Sequence, residues 1–291
     1  MDSFDFGADP GLVEIKLHDT AGEFRAIAEP LYRRDPVVHT IELTLLAADN
    51  FADDAFLMTV WNDGTAVGAA LQTPPYPLAC NGIPISGIGA VAADLVELRP
   101  DLSGVRGLRD TALAFADAWH AIAGQATAVD SEERLYRLAT LHAPNGVTGR
   151  SRLAIEADRH LLVDWVEQFF VETFSHNRDD AAGERFIDTA NRVGDRFVLW
   201  EVADTPVSMA MLRAPAAGVS RIGPVFTPLR QRGHGYGSAV TAAAAELAHR
   251  SGTPDVVLFA DLANPTSNAI YQRIGFEPVA DSVRIDFGTL A

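Results

Sequence analysis

The chain has 291 residues, 48% hydrophobic and 21% charged, a length that suits two globular domains of about 140 residues, each able to bury its own core. Its single cysteine, Cys80, excludes an intramolecular disulfide and any CxxC-type zinc site. A formal net charge of −16 argues against nucleic-acid backbones and anionic membrane surfaces as partners and favours a cationic small molecule or a basic peptide. The start, MDSFDFGADPGL, lacks the basic–apolar–cleavage pattern of an export signal. No apolar run approaches the roughly 20 residues of a bilayer span. A cytoplasmic location is expected.

In chain order, the first strong signal is FLMTVWNDGTAVGAALQTPP, Phe56 to Pro75, where Asp63-Gly64 between two apolar runs predicts a β-hairpin. FVLWEVADTPVSMAMLRAP, Phe197 to Pro215, has the same outline, with a polar turn expected at Asp204-Thr205. Val67 answers to Val207, Ala70 to Ala210 and Phe56 to Phe197. Each hairpin follows helix-like sequence and precedes a glycine-bearing turn and an Ala-rich helix. In the first half these are SGVRGLR, Ser103 to Arg109, and DTALAFADAWHAIAG, Asp110 to Gly124. The pattern predicts two diverged copies of one α/β unit, covering 1–145 and 151–291. HAPNGVTGR, His142 to Arg150, is the candidate linker.

In the second half SRLAIEAD reads as a first strand, and Asp158 is placed to cap the helix that follows. Leu162, Trp165, Phe169 and Glu172 share one face of that helix. A second helix, AAGERFIDTANRV, carries Phe186 and Ala190 one turn apart. After the hairpin come the strand VSRIGPVF, the segment TPLRQRGHGYGSAV, an Ala-rich helix to about Arg250 stopped by Gly252-Thr253-Pro254, and the buried strand DVVLFADL. NPTSNAIYQRIGFEPV and a last strand, SVRIDF, complete the chain.

A strand, a glycine loop and a helix together make an anion site. The helix start offers unpaired N–H groups and the positive end of its dipole. Glycine lets the backbone approach phosphate oxygens, and Arg230 and Arg232 add positive charge. Three readings stand at this point: a structural turn, a dinucleotide fold, and an acyl-coenzyme A site. The GxGxG spacing and the preceding antiparallel hairpin argue against the second. The third demands an acid beyond the next strand.

Asn264, Tyr271 seven residues later, and Gly275-Phe276 meet that demand. With Arg232, Gly235 and Gly237 in the pattern (Arg or Gln)-x-x-Gly-x-(Gly or Ala), the chain resembles the GCN5-related N-acetyltransferase (GNAT) superfamily over Val225 to Val279. The resemblance implies two GNAT-like α/β domains in tandem, each a mixed, mostly antiparallel sheet flanked by helices. It implies an N-acetyltransferase that moves the acetyl group of acetyl-CoA to a primary amine, without a metal. The backbone of Arg232, Gly233, His234, Gly235, Tyr236, Gly237 and Ser238 would hold the pyrophosphate. Val225, Phe226 and Thr227 would pair with the pantetheine arm, with an N–H at Val225 as oxyanion donor. Asn264 would contact the arm, with Ser267 or Asn268 helping to orient it. Tyr271 would be the general acid.

No position for the base carries over. Glu172, on an otherwise apolar helical face where burial would raise its pKa, is the candidate; Asp261 or a water chain are alternatives. His234 is expected to face phosphate or solvent, and His176 to lie in a solvated loop. The first half lacks both motifs, since SGVRGLR departs from the loop pattern and Tyr136 stands in strand-like sequence. It is expected to be a degenerate, non-catalytic copy. A non-catalytic acyl-CoA sensor or interaction module is the alternative function, and a dehydrogenase stands third. The acceptor is open, and the expected assembly is a monomer or homodimer.

Overall fold

The computed structural model describes residues 13–288 except 50, 53, 175 and 176. His176 therefore lies outside the described residues. The chain is α/β, its strand pairings are mostly antiparallel, and it forms two compact units: residues 1–133 with 280–291, and residues 134–279.

In the first unit, β1 (Val13–Leu17), β2 (Phe56–Asn62), β3 (Thr65–Gln72), β4 (Leu78–Ala79) and β5 (Gly104–Leu108) lie in that order. The end of β12 (Phe276–Phe287) completes the sheet, its Ser282–Asp286 running antiparallel to Gly104–Leu108. Helices α1 (Ala21–Tyr32), α2 (Thr40–Ala48), α3 (Ile88–Leu98) and α4 (Arg109–Ala123) accompany it. Phe115, Trp119, Val91 and Leu95 pack with Met58, Val105 and Ile285 in one core, with the Trp119 and Phe287 rings stacked. The predicted hairpin turn is present: Asp63 and Gly64 both have positive φ, 47° and 74°, the geometry that matches strand twist.

In the second unit the order runs β6 (Thr127–Leu138), β11 (Asp255–Asp261), β10 (Val219–Phe226), β9 (Thr205–Leu212), β8 (Arg196–Val202) and β7 (Arg150–Leu153). Helices α5 (Arg159–Phe174), α6 (Asp180–Val193), α7 (Tyr236–Arg250) and α8 (Pro265–Arg273) complete it. The apolar stripe of α5 behaves as its spacing predicts: Leu162 and Trp165 are buried with Phe226, and Phe169 packs against that cluster. Asp179 caps α6 by accepting from Ala182 N–H at 3.1 Å, and Gly194 closes it in the left-handed conformation. Asp158 precedes α5 but turns back, accepting from Ile155 N–H at 2.8 Å and from both terminal nitrogens of Arg152.

The two units share an element order: strand, two helices, hairpin, strand, a short 3₁₀ turn, helix, strand, helix. The hairpins correspond residue by residue, Phe56–Asn62 to Arg196–Val202 and Thr65–Gln72 to Thr205–Leu212. Both carry a register shift near the turn, at Val60/Trp61 and Trp200/Glu201. Val67 and Ala70 thus answer to Val207 and Ala210 as expected. Phe56 answers to Arg196, one residue from the expected Phe197. The second turn is made by Ala203 and Asp204, with φ of 47° and 58°, and Thr205 already opens β9.

A larger correction concerns the first copy's loop. SGVRGLR is not the counterpart of the glycine loop, because most of it is strand β5, and DTALAFADAWHAIA is α4, the counterpart of α8. The counterpart loop is Pro84 and Ile85–Gly87, which runs straight into α3. Composition misled here: alanine-rich sequence marks α4 more strongly than α3.

HAPNGVTGR is not a free spacer. His142 N–H donates to Ile274 O at 3.0 Å, and Thr148 O accepts from Trp200 Nε1 at 3.0 Å. The contact-defined break between the units falls inside β6, at Glu133/Arg134, whereas the sequence suggested 145–151. Tyr136 consequently belongs to the core of the second unit.

Candidate active site

β10 leaves its parallel neighbour part-way along. Val219–Ile222 pair with Asp255–Leu258 of β11, and after a register shift Val225 and Phe226 pair with Ala210 and Met209 of β9. The two parallel strands therefore part beyond Ile222. Ser208 on β9 braces the end of β10: its hydroxyl donates to Phe226 O at 3.0 Å and lies 2.8 Å from the Thr227 hydroxyl.

Pro228 then starts a short 3₁₀ turn, Leu229–Gln231, and the chain passes through Gly233 and Gly235 before α7 begins at Tyr236. Both glycines are left-handed, φ +83° and +82°, a conformation that L side chains resist. Gly235 is the N-cap of α7 and offers no side chain to its amides. The first helical bond is Ala239 N–H to Gly235 O at 3.0 Å. The helix thus leaves the N–H groups of Tyr236, Gly237 and Ser238 unspent. A Cβ on Gly237 would lie 3.3 Å from Thr227 Oγ1, and one on Gly235 would lie 3.0 Å from Val147 Cγ2. The loop is bare backbone with the positive end of a helix dipole behind it, which fits a diphosphate.

Of the loop's side chains, His234 is exposed and stacks on Tyr236 with ring centroids 5.3 Å apart. Its Nδ1 faces the Gln231 and Arg232 carbonyls. Arg232 is held three ways. Its Nε donates to Thr227 O at 2.9 Å, a terminal nitrogen meets Glu172 Oε2 at 2.5 Å, and the guanidinium stands 6.0 Å from the Phe226 ring centre. Among the described residues Arg230 has no ion-pair partner. Glu172 lies on the last turn of α5 with its side chain 46% exposed, so the expected burial is absent: the helix has risen out of the core there.

Across the parting, Asn264 caps α8 by accepting from Ser267 N–H at 3.0 Å, with Pro265 at the first helical position. Asp261 is engaged in a turn, accepting from Ala263 N–H at 2.8 Å. Asn268 faces inward, its amide donating to Asp261 O and Asn264 O at 2.7 and 2.8 Å. Tyr271 is half-buried, edge-on to Phe276 and 6.5 Å from the Tyr136 ring. Burial pushes its phenol up to about 12. Gly275 is left-handed, φ +101°, and a Cβ there would collide with the Thr140 carbonyl. The glycine of the Gly-Phe motif is thus required by the close passage of residues 139–142, where Ala139 N–H donates to Gly275 O at 3.0 Å.

Residues 160–276 match the family model described as Acetyltransferase (GNAT) family. This part of the chain is a GNAT domain. Whole-chain likeness to solved GNAT structures gives the fold of both units. A GNAT acetyltransferase from Colwellia psychrerythraea is similar at TM-score 0.62 and 11% identity, over 94% of this chain and 98% of that one. A tandem GNAT protein from the clavulanic acid biosynthesis pathway aligns at TM-score 0.60 and 14% identity, over 95% and 98%. A GCN5-related N-acetyltransferase from Sphaerobacter thermophilus aligns at 0.60 and 15%, over 98% of both chains. No curated protein matches the sequence. The chain is a tandem of two GNAT-like folds with the mixed sheet expected of them.

Sequence reasoning missed three supports of this candidate site. Ser208 carried no signal beyond a polar residue in an apolar strand. Val147 lay in the supposed linker. Tyr136 fell before the expected boundary, and its partners Asn268 and Gln272 are more than a hundred residues away. Among the described residues no cluster of His, Cys, Asp or Glu is set to hold a metal, and no helix is long and apolar enough to cross a membrane.

Proposed function

We propose that the second unit transfers an acetyl group from acetyl-CoA directly to a primary amine, in the cytoplasm, with its acidic surface favouring a cationic acceptor. The observation that carries this reading is the uncapped start of α7 behind two left-handed glycines, at the point where β10 and β11 part. Amides from Gly233 to Ser238 bind the diphosphate; the Arg232 N–H expected among them is already given to Leu229 O at 3.3 Å. The pantetheine arm runs along Val225–Thr227, with Asn264 and Ser267 beside it. Val225 N–H takes the thioester oxygen as charge develops there.

The amine lone pair forms the C–N bond and the C–S bond breaks, leaving a thiolate. Glu172, at the end of α5, takes the proton that the amine gives up. Tyr271 donates a hydrogen bond to the departing sulfur. A phenol at about 12 is a far weaker acid than a thiol near 8.5, so Tyr271 stabilises the thiolate without full transfer and solvent protonates it later.

The first unit, we infer, binds no coenzyme. Its short turn enters α3 with no intervening glycine loop. Where the second unit's strands part, the first unit's are stitched together: Cys80 N–H donates to Arg106 O at 2.9 Å, and Asn81 Oδ1 accepts from Leu108 N–H at 2.6 Å. Isothermal titration of the whole chain should therefore find one CoA site, and a panel of primary amines should release free thiol from acetyl-CoA. Binding without release from any amine would make the protein an acyl-CoA sensor instead. No binding at all would end the proposal.

A further inference from the structure

Arg232 is the last arginine before the bare amides of the loop, and it is already taken. Its guanidinium joins Glu172, on a different element, at 2.5 Å and the Thr227 carbonyl at 2.9 Å. Glu172 gains little from its own helix. It stands in the last turn of α5, where the dipole's negative end disfavours a carboxylate. Its side chain is 46% exposed, so no burial fixes it either. The Arg232 charge is what holds it.

A diphosphate carries more charge than one carboxylate and would be met by the helix amides as well, so it should win the guanidinium. Doing so must break the Arg232–Glu172 pair and leave a bare negative charge beside a polyanion. We infer that Glu172 is a placeholder for the diphosphate, a carboxylate that occupies Arg232 until the coenzyme displaces it. This rests on the acetyl-CoA reading above and adds a regulation to it. The displaced carboxylate becomes the anionic contact for a cationic amine. The same carboxylate restrains coenzyme affinity while the site is empty. In this account Glu172 receives a proton only after Arg232 has been drawn away.

The test is CoA titration of the whole chain with Glu172→Gln, which keeps the shape and removes the charge. Exposed ion pairs are worth up to about 1 kcal/mol, so CoA should bind two- to about fivefold more tightly than to the native chain. The gap should close near 1 M salt, where the Debye length is about 3 Å. In an Arg232→Gln background Glu172→Gln should change nothing. Unchanged or weaker CoA binding by Glu172→Gln, with native salt dependence, overturns the placeholder and leaves Glu172 at most a base, seen as lower kcat alone. If the native chain binds no CoA, the coenzyme reading fails separately. Inorganic pyrophosphate then serves as the probe, and its affinity must still rise in Glu172→Gln or the placeholder fails too.

Discussion

The Tyr136 hydroxyl donates to Asn268 Oδ1 at 2.8 Å and receives Gln272 Nε2 at 3.3 Å, which joins β6 to the helix carrying Tyr271. Tyr136 is fully buried. Tyr136→Phe keeps the ring but leaves the Asn268 carbonyl oxygen without this donor, at a cost of about 1–3 kcal/mol. Thermal unfolding should show a lower Tm, and acetyl transfer should slow while CoA affinity holds. An unchanged Tm would mean that the hydroxyl does not fix the helix.

Tyr271→Phe should lower kcat by about a hundredfold, the order of losing one hydrogen-bond donor to a developing anion, with CoA affinity nearly unchanged by titration. Because burial pushes the phenol up to about 12, the native residue stays protonated through neutral and mildly alkaline pH. The rate should show no alkaline fall assignable to Tyr271 below about pH 11. Equal activity of the variant would remove Tyr271 from the reaction.

Gly235→Val places a Cβ 3.0 Å from Val147 Cγ2 at a φ of +82°, so both backbone strain and collision oppose it. CoA binding should fall below detection by titration. Gly22→Ala, a helical glycine of the first unit whose added Cβ meets nothing, should leave it intact. Arg232→Glu, which sets like charge against Glu172, should also abolish CoA binding.

The Arg152 guanidinium beside Asp158 holds its carboxyl below the usual carboxylate range, helped by the Ile155 N–H. A depressed folded value means that this stability is complete above the unfolded value of about 4 and is lost as pH falls through the lower folded one. Asp158→Asn should therefore cost about 2 kcal/mol at pH 7. The Tm gap from the native chain should narrow as pH drops below about 4. A gap independent of pH would contradict the charge argument.

A chain cut at residue 145 removes β6 from beside β11 and the end of β12 from beside β5. Each fragment then exposes a formerly paired strand edge. Residues 151–291 expressed alone should aggregate by light scattering, and adding 127–150 back at the N-terminus, which restores β6 beside β11 but not β5 beside β12, should reduce the scattering without abolishing it.

Alternation of apolar residues and a two-residue polar turn reported both hairpins. Two short motifs at fixed spacing marked the glycine loop and the segment that carries Asn264 and Tyr271. All of these are local, because a turn's φ values, a helix cap and a glycine's freedom depend on neighbours within a few residues. What the sequence could not report were pairings across the chain: β6 crossing into the second unit, and Val147 against the glycine loop. Equally hidden were the stitching of β4 to β5 by Cys80 and Asn81, and Arg232 reaching Glu172. Strand partners and ion pairs at that separation are decided by which surfaces can be buried together, and residue spacing along the chain carries no record of that choice.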